Sequence, residues 1–217
     1  MTAAVAPGPA VVDADRAAMV VVACGALAPE LATLLDRSGL DQHVTLRCLS
    51  PSLHDTPERI PDLVRAEVRA VQASGATAIV GYADCGTGGL LDEVCAQEGV
   101  ERLPGAHCYE LFAGSAAFAQ LHADEPGTFY LTDFLVRSFD RLVIRGLGLD
   151  RHPQLRDVYF GNYRRLIHLA QRDDPDLDRR ARDAAATLGL THERVLTGLG
   201  PVARQLGHVL DRAEVGA

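Results

Sequence analysis

Residues 19–24 read MVVVAC, and Gly25 follows at once. A short, unbroken apolar run that ends on glycine suits a β-strand covered on both faces, because a strand with one wet face would alternate. Such a strand belongs to a parallel sheet. Parallel strands need crossover connections of a dozen or more residues, usually helical. The spacing that follows obeys this demand. Residues 29–36 read as a helix, 44–49 (VTLRCL) as a second strand, and 57–74 as a helix capped by Thr56 and stopped by Gly75.

Residues 76–82 (ATAIVGY) read as a third strand and 90–97 as a helix. Residues 100–103 read as a short fourth strand, 108–121 as a helix and 128–132 (TFYLT) as a fifth strand. The implied fold class is α/β, a parallel Rossmann-like three-layer sandwich with helices on both faces. Beyond residue 140 the pattern loosens into a mainly helical C-terminal part. Helices are expected there at 142–149, 154–163, 176–188 and 201–211, with a sixth strand at 164–170. The Ala- and Pro-rich residues 1–16 read as a disordered tail, and residues 17–217 as a single α/β domain.

Composition narrows the function. The 217 residues are 47% hydrophobic, enough for a full core. A formal net charge of −8 argues against nucleic acid as a partner, because a binder would carry a basic stripe. All 21 basic residues are arginine, so neither a Schiff-base lysine nor a P-loop lysine is present. No apolar run approaches the roughly 18 residues of a membrane span, and no leader pattern precedes the first strand. Five cysteines form neither a disulfide framework nor a C-x-x-C pair, which suits a reducing cytoplasm with thiols free for ligation or catalysis.

In open parallel sheets ligands bind beyond the carboxyl ends of the strands. The loops expected at that rim carry Cys24, His54, Asp55, Asp84, Cys85, His107, Cys108, Glu110, Thr132 and Asp133. Cys24, Cys85 and Cys108 form a soft donor set that suits zinc, iron or an iron–sulfur cluster with one coordination position left open. The repeated Cys-Gly after the first and third strands hints at pseudo-symmetric halves. His54 and Glu110 are candidates for moving protons. The amides of Gly86, Thr87, Gly88 and Gly89, with nearby arginines, are candidates to hold a substrate carboxylate or phosphate, although the loop matches neither G-x-G-x-x-G nor the Walker pattern. Cys48 and Cys95 read as small buried hydrophobes. His43, His122, His152, His168, His192 and His208 read as surface or structural residues.

Several blocks carry a resemblance. They are Ala23-Cys24-Gly25-Ala26-Leu27, Leu53-His54-Asp55-Thr56-Pro57, Gly81-Tyr82-Ala83-Asp84-Cys85-Gly86, His107-Cys108 with Gly114-Ser115, and Gly127-Thr128-Phe129-Tyr130-Leu131-Thr132. Together, over residues 19–200, the chain resembles the family called domain of unknown function 1638. That family pattern has Asn after its Leu-His, where this chain has Asp55. Some members are encoded near corrinoid-dependent methyltransferases, so the resemblance implies one-carbon metabolism and a corrinoid protein as a candidate partner.

The expected function is a metal- or iron–sulfur-dependent lyase, hydrolase or group-transfer enzyme on a small polar substrate, using the three-cysteine site. One alternative is an accessory protein that binds metal or corrinoid without turnover. Another is an enzyme with Cys85 as nucleophile, its pKa lowered by a helix N-terminus. Apolar C-terminal helices leave a homo-oligomer open.

Overall fold

The structure is a computed structural model that describes residues 19–216; the expected tail at 1–16 lies outside the described residues. Its sheet is divided. Strands β1 (Met19–Cys24), β2 (Val44–Leu49) and β3 (Thr77–Gly81) form one parallel sheet in the order β2-β1-β3. Strands β4 (Thr128–Thr132), β5 (Arg165–Ala170) and β6 (Thr191–Leu196) form a second parallel sheet in the order β4-β5-β6. The α/β class and the Rossmann-like parallel arrangement therefore hold, but in two sheets rather than one.

Each central strand explains its own sequence. Val20 to Cys24 are all buried in β1, and Leu166 to Ala170 are all buried in β5, so both faces of each sheet are covered. Edge strands read differently. In β2 only Val44 is fully buried, and Cys48, expected in the core, lies exposed on this edge. Strand β6 (THERVL) alternates between exposed and half-buried positions. It has one neighbour, β5, and its polar residues do not resemble a buried strand.

Around the first sheet run α1 (Ala28–Arg37), α2 (Ile60–Ala73) and α3 (Leu90–Glu98). Ile60, Val64, Val68 and Val71 of α2 recur at helical spacing and are fully buried. The expected fourth strand shrinks to a single bridge between Val80 and Arg102. Pro104 offers no N–H to extend the ladder, and the Arg102 side chain turns back onto the carbonyl oxygens of Leu103 and Gly105. The long helix expected from residue 108 is broken into α4 (Cys108–Ala113) and α5 (Ser115–Asp124) by Gly114 at φ +82°.

Around the second sheet run α6 (Asp133–Phe139), α7 (Leu155–Phe160) and α8 (Pro175–Leu188), with α9 (Gly200–Gly216) closing the chain. Helix α6 was not expected. It continues through a π-helical turn at Asp140–Ile144, so the helix expected over residues 142–149 begins earlier and ends sooner. The C-terminal part carries β5 and β6 beside its helices.

Helix packing crosses between the two sheets. Val202, Leu206, Val209 and Leu210 of α9 join the core of the first sheet. Tyr109 on α4 and Phe118 on α5 pack instead on Tyr130 of β4, with ring centroids 5.5 and 5.2 Å apart. The first sheet is thus completed by a helix from the far end of the chain, and the second takes cover from the helices that lead into β4.

Candidate functional site

The carboxyl ends of β1, β2 and β4 converge on a cavity of about 210 Å³. Its wall includes Ala26 and Leu27 after β1, Pro51, His54 and Asp55 after β2, Cys108 and Tyr109 at the start of α4, and Thr132 with Phe134 after β4. Most of the remaining lining is apolar, including Phe112, Phe129 and Leu131. The volume falls below the roughly 300–1,000 Å³ of drug-sized sites, so the cavity suits a small molecule.

Of the rim residues selected from the sequence, His54, Asp55, Cys108 and Thr132 line this cavity. His54 is exposed, and its Nδ1 lies 3.0 Å from the Pro51 carbonyl oxygen. Donating there orients the ring and leaves Nε2 free. Cys24 and Cys85 sit behind Cys108. They follow β1 and β3, which are hydrogen-bonded neighbours in one sheet, so the two Cys-Gly turns lie side by side and do not mark the two halves.

Local geometry brings the three thiols together. The Asp84 and Cys85 N–H groups donate to the Gly105 and Ala106 carbonyl oxygens at 3.0 and 2.9 Å, which ties the loop after β3 to the loop before α4. Cys108 is thereby set near Cys85, close enough for its backbone N–H to favour the Cys85 thiolate. Cys24 accepts from the Ala26 N–H at 3.3 Å, and the buried Tyr82 hydroxyl lies against the same sulfur. Cys85 has φ +53° and is the one non-glycine residue in the left-handed region among those described. That backbone costs on the order of 1 kcal/mol or more and persists where surroundings over-determine it.

Burial pushes the Cys24 thiol up to about 11 and the Cys85 thiol up to about 12, and Cys108 also goes well above the ordinary range. Cys24 further disfavours ionisation of Cys85, and both disfavour that of Cys108. Cys85 is also not at a helix N-terminus, since α3 begins at Leu90. The lowered pKa expected for a Cys85 nucleophile is therefore replaced by a raised one. All five cysteines are free thiols.

The glycine-rich loop holds an internal anion. The Asp84 carboxylate accepts from the Thr87 hydroxyl at 2.6 Å and from the Gly89 and Gly88 N–H groups at 2.9 and 3.1 Å. Burial raises the Asp84 pKa, but these hydrogen bonds outweigh it and hold the carboxyl below its usual range. The Gly88 and Gly89 amides, expected to face a substrate anion, are thus already engaged. Glu110 is likewise turned inward. Its carboxylate accepts from the Ala106 N–H at 2.9 Å and is held low by Ser115 and that amide. His54 is the candidate proton carrier that faces the cavity.

One acidic residue escaped selection from the sequence, and the rim residue Asp133 takes a buried place. Glu30, in the first turn of α1, is almost fully buried with both carboxyl oxygens lacking a hydrogen bond, and burial raises its pKa. Its one charged contact is Arg137 of α6 at 3.6 Å, a link between the halves. Asp133 starts α6 with no exposed surface and takes hydrogen bonds from the Gln171 N–H and the His168 ring. Nothing local marks Glu30, because an acidic residue in a first helical turn is ordinarily a complement to the helix dipole.

As for known proteins, no curated protein matches this chain. No solved structure matches it either. Among protein families, residues 48–206 match the one described as "Protein of unknown function (DUF1638)", a span that holds His54, Cys85 and Cys108 and leaves Cys24 outside. With well over half of its length matched, the chain belongs to the DUF1638 family.

Proposed function

We propose that this protein is an iron–sulfur-dependent enzyme in which Cys24, Cys85 and Cys108 hold the cluster beside the cavity and a small molecule is transformed there. The observation that carries the reading is the approach of three free thiols, Cys24 and Cys85 buried and Cys108 half-buried, from three separate segments at one sheet edge. Thiols raised by burial and by one another have much to gain from a cation, because a bound metal favours the thiolate outright.

Spacing favours a cluster over a single ion. Thiolates sharing one tetrahedral zinc at 2.3 Å lie roughly 3.8 Å apart. The three sulfurs do not form a group with all members within 4.8 Å of one another, whereas cluster ligands bind different irons and sit wider. Bound there, a three-thiolate cluster would supply a Lewis-acidic iron with an open position.

The chain's own residues supply the rest. The apolar wall of Phe112, Phe129, Leu131 and Phe134 takes the body of the substrate and excludes water. His54 Nε2, oriented by the Pro51 carbonyl, accepts or returns a proton at the polar end, with Asp55 next to it. Asp84 and Glu110 brace the loops that present Cys85 and Cys108.

The test is anaerobic purification followed by iron and acid-labile sulfide measurement, before and after reconstitution. The expected result is a brown protein that loses its iron and sulfide in Cys85→Ser and keeps both in Cys48→Ser. A chain that stays colourless after reconstitution overturns the reading.

A further inference from the structure

A second constellation lies in the other half. His168 on β5, His192 on β6 and Asp178 on α8 place one ligand atom each within 4.8 Å of one another, and among the described residues this is the group of three that does so. The sequence reading set both histidines aside as structural. We propose that these three residues bind a zinc-like divalent cation, leaving one coordination position for water.

Two observations support the site independently of the thiols. First, His168 Nδ1, Asp178 Oδ1 and His192 Nε2 all lack a hydrogen-bond partner. His168 is only 1% exposed, and an orphaned polar atom that deep is costly unless something occupies the space before it. Second, His168 Nε2 lies 3.0 Å from the Asp133 Oδ1, so the carboxylate holds the hydrogen on Nε2 and leaves the Nδ1 lone pair facing the site. A carboxylate behind a ligating imidazole is the usual means of fixing its tautomer and raising its basicity.

The donor set selects the metal. Two imidazole nitrogens and one carboxylate oxygen suit zinc, not the all-oxygen preference of calcium or magnesium. Arg182 engages the other oxygen of Asp178, leaving Oδ1 for the ion. Arg194 approaches Oδ1 only to 4.0 Å and is anchored on Asp173 at 2.7 Å. The histidines belong to adjacent paired strands, with Leu166 of β5 opposite His192, so His168 and His192 are diagonal neighbours on the face that α8 covers.

Cobalt(II) titration of chelator-treated protein separates this site from the thiols. Nitrogen and oxygen ligands give visible bands without the thiolate-to-cobalt charge-transfer band that Cys24, Cys85 and Cys108 would add. Wild type is expected to show the thiolate-free component and to bind zinc at this position. His192→Ala and Asp178→Asn should each lose that one equivalent while melting like the chelator-treated wild type in the absence of metal. Asp133→Asn should weaken zinc binding about 10- to 100-fold without abolishing it. Wild-type stoichiometry and affinity in His192→Ala and Asp178→Asn would overturn the proposal. So would a wild-type protein with no cobalt bound outside the thiolates, a result that does not depend on any variant folding.

Discussion

The carboxyl edges of the two sheets are built on the same backbone plan and furnished in opposite ways. The first edge carries thiols whose ionisation burial opposes, two of them buried and Cys108 half-buried, with Tyr82 and Phe112 around them. The second carries Asp133, His168, Gln171 and Arg172 in a hydrogen-bonded, charged array. Soft donors in a dry setting and harder donors in a polar one suit different metals. The contrast also predicts different failures: the second edge breaks when a charge is removed, the first when a sulfur is ionised without a metal.

Breaking the second edge should have the largest effect. Asp133→Ala strands the His168 ring and the Gln171 N–H in the core and leaves Arg172, 3.3 Å from the lost carboxylate, without its partner. Removing one member of such a buried array costs about 3–5 kcal/mol, read as a lowered midpoint in urea. Asp133→Asn, which still accepts hydrogen bonds, should lose less.

At the first edge, Asp84→Ala should cost about 1–3 kcal/mol, because the Gly88 and Gly89 amides lose their acceptor. Asp84 is held low in the folded state, so its contribution is present above the ordinary carboxylate range near pH 4 and is lost as pH falls through its depressed value. Wild type and variant should therefore converge in stability under acid.

The smallest effect, invisible near neutrality, concerns the thiols. Cys24 and Cys85 titrate at about 11 and 12 when folded, above the unfolded value near 8.5. Stability is thus complete below that unfolded value and is lost as pH rises through 11 to 12. Alkylation at neutral pH should reach the exposed Cys48 first and leave Cys24 and Cys85 unmodified. Rapid labelling of Cys85 would put the contrast between the two edges in doubt.

How much of this was legible depended on whether the signal was local. Strands β1, β2 and β4 announce themselves as apolar runs bounded by turns, and their positions follow from the residues alone. Strand β6 does not, since an edge strand with His192 and Arg194 on its covered face lacks an apolar stripe. Division into two sheets has no local signature, because which strands pair is decided by packing far along the chain. The rim positions of Cys24, Cys85, Cys108 and His54 were readable from the strand ends. The partners of Asp84 and Glu110 were not, because a loop that can hold an external anion is equally suited to holding its own carboxylate. The His168–Asp133 pair joins residues 35 positions apart, beyond any spacing rule.

The crossing of α9 onto the first sheet has a consequence in time. Strands β1 to β3 leave the ribosome early, yet Val202, Leu206 and Val209, which complete their core, emerge more than 120 residues after β3 ends at Gly81. At roughly 5–20 residues per second, that apolar surface waits on the order of ten seconds for its cover. Helix α4, which carries Cys108, also packs on α9, so the thiol edge takes its final shape only when nearly the whole chain is out. During that interval the thiols meet the solvent as an open, unfinished surface, and anything loaded there must arrive after α9 has docked or be sealed in by it.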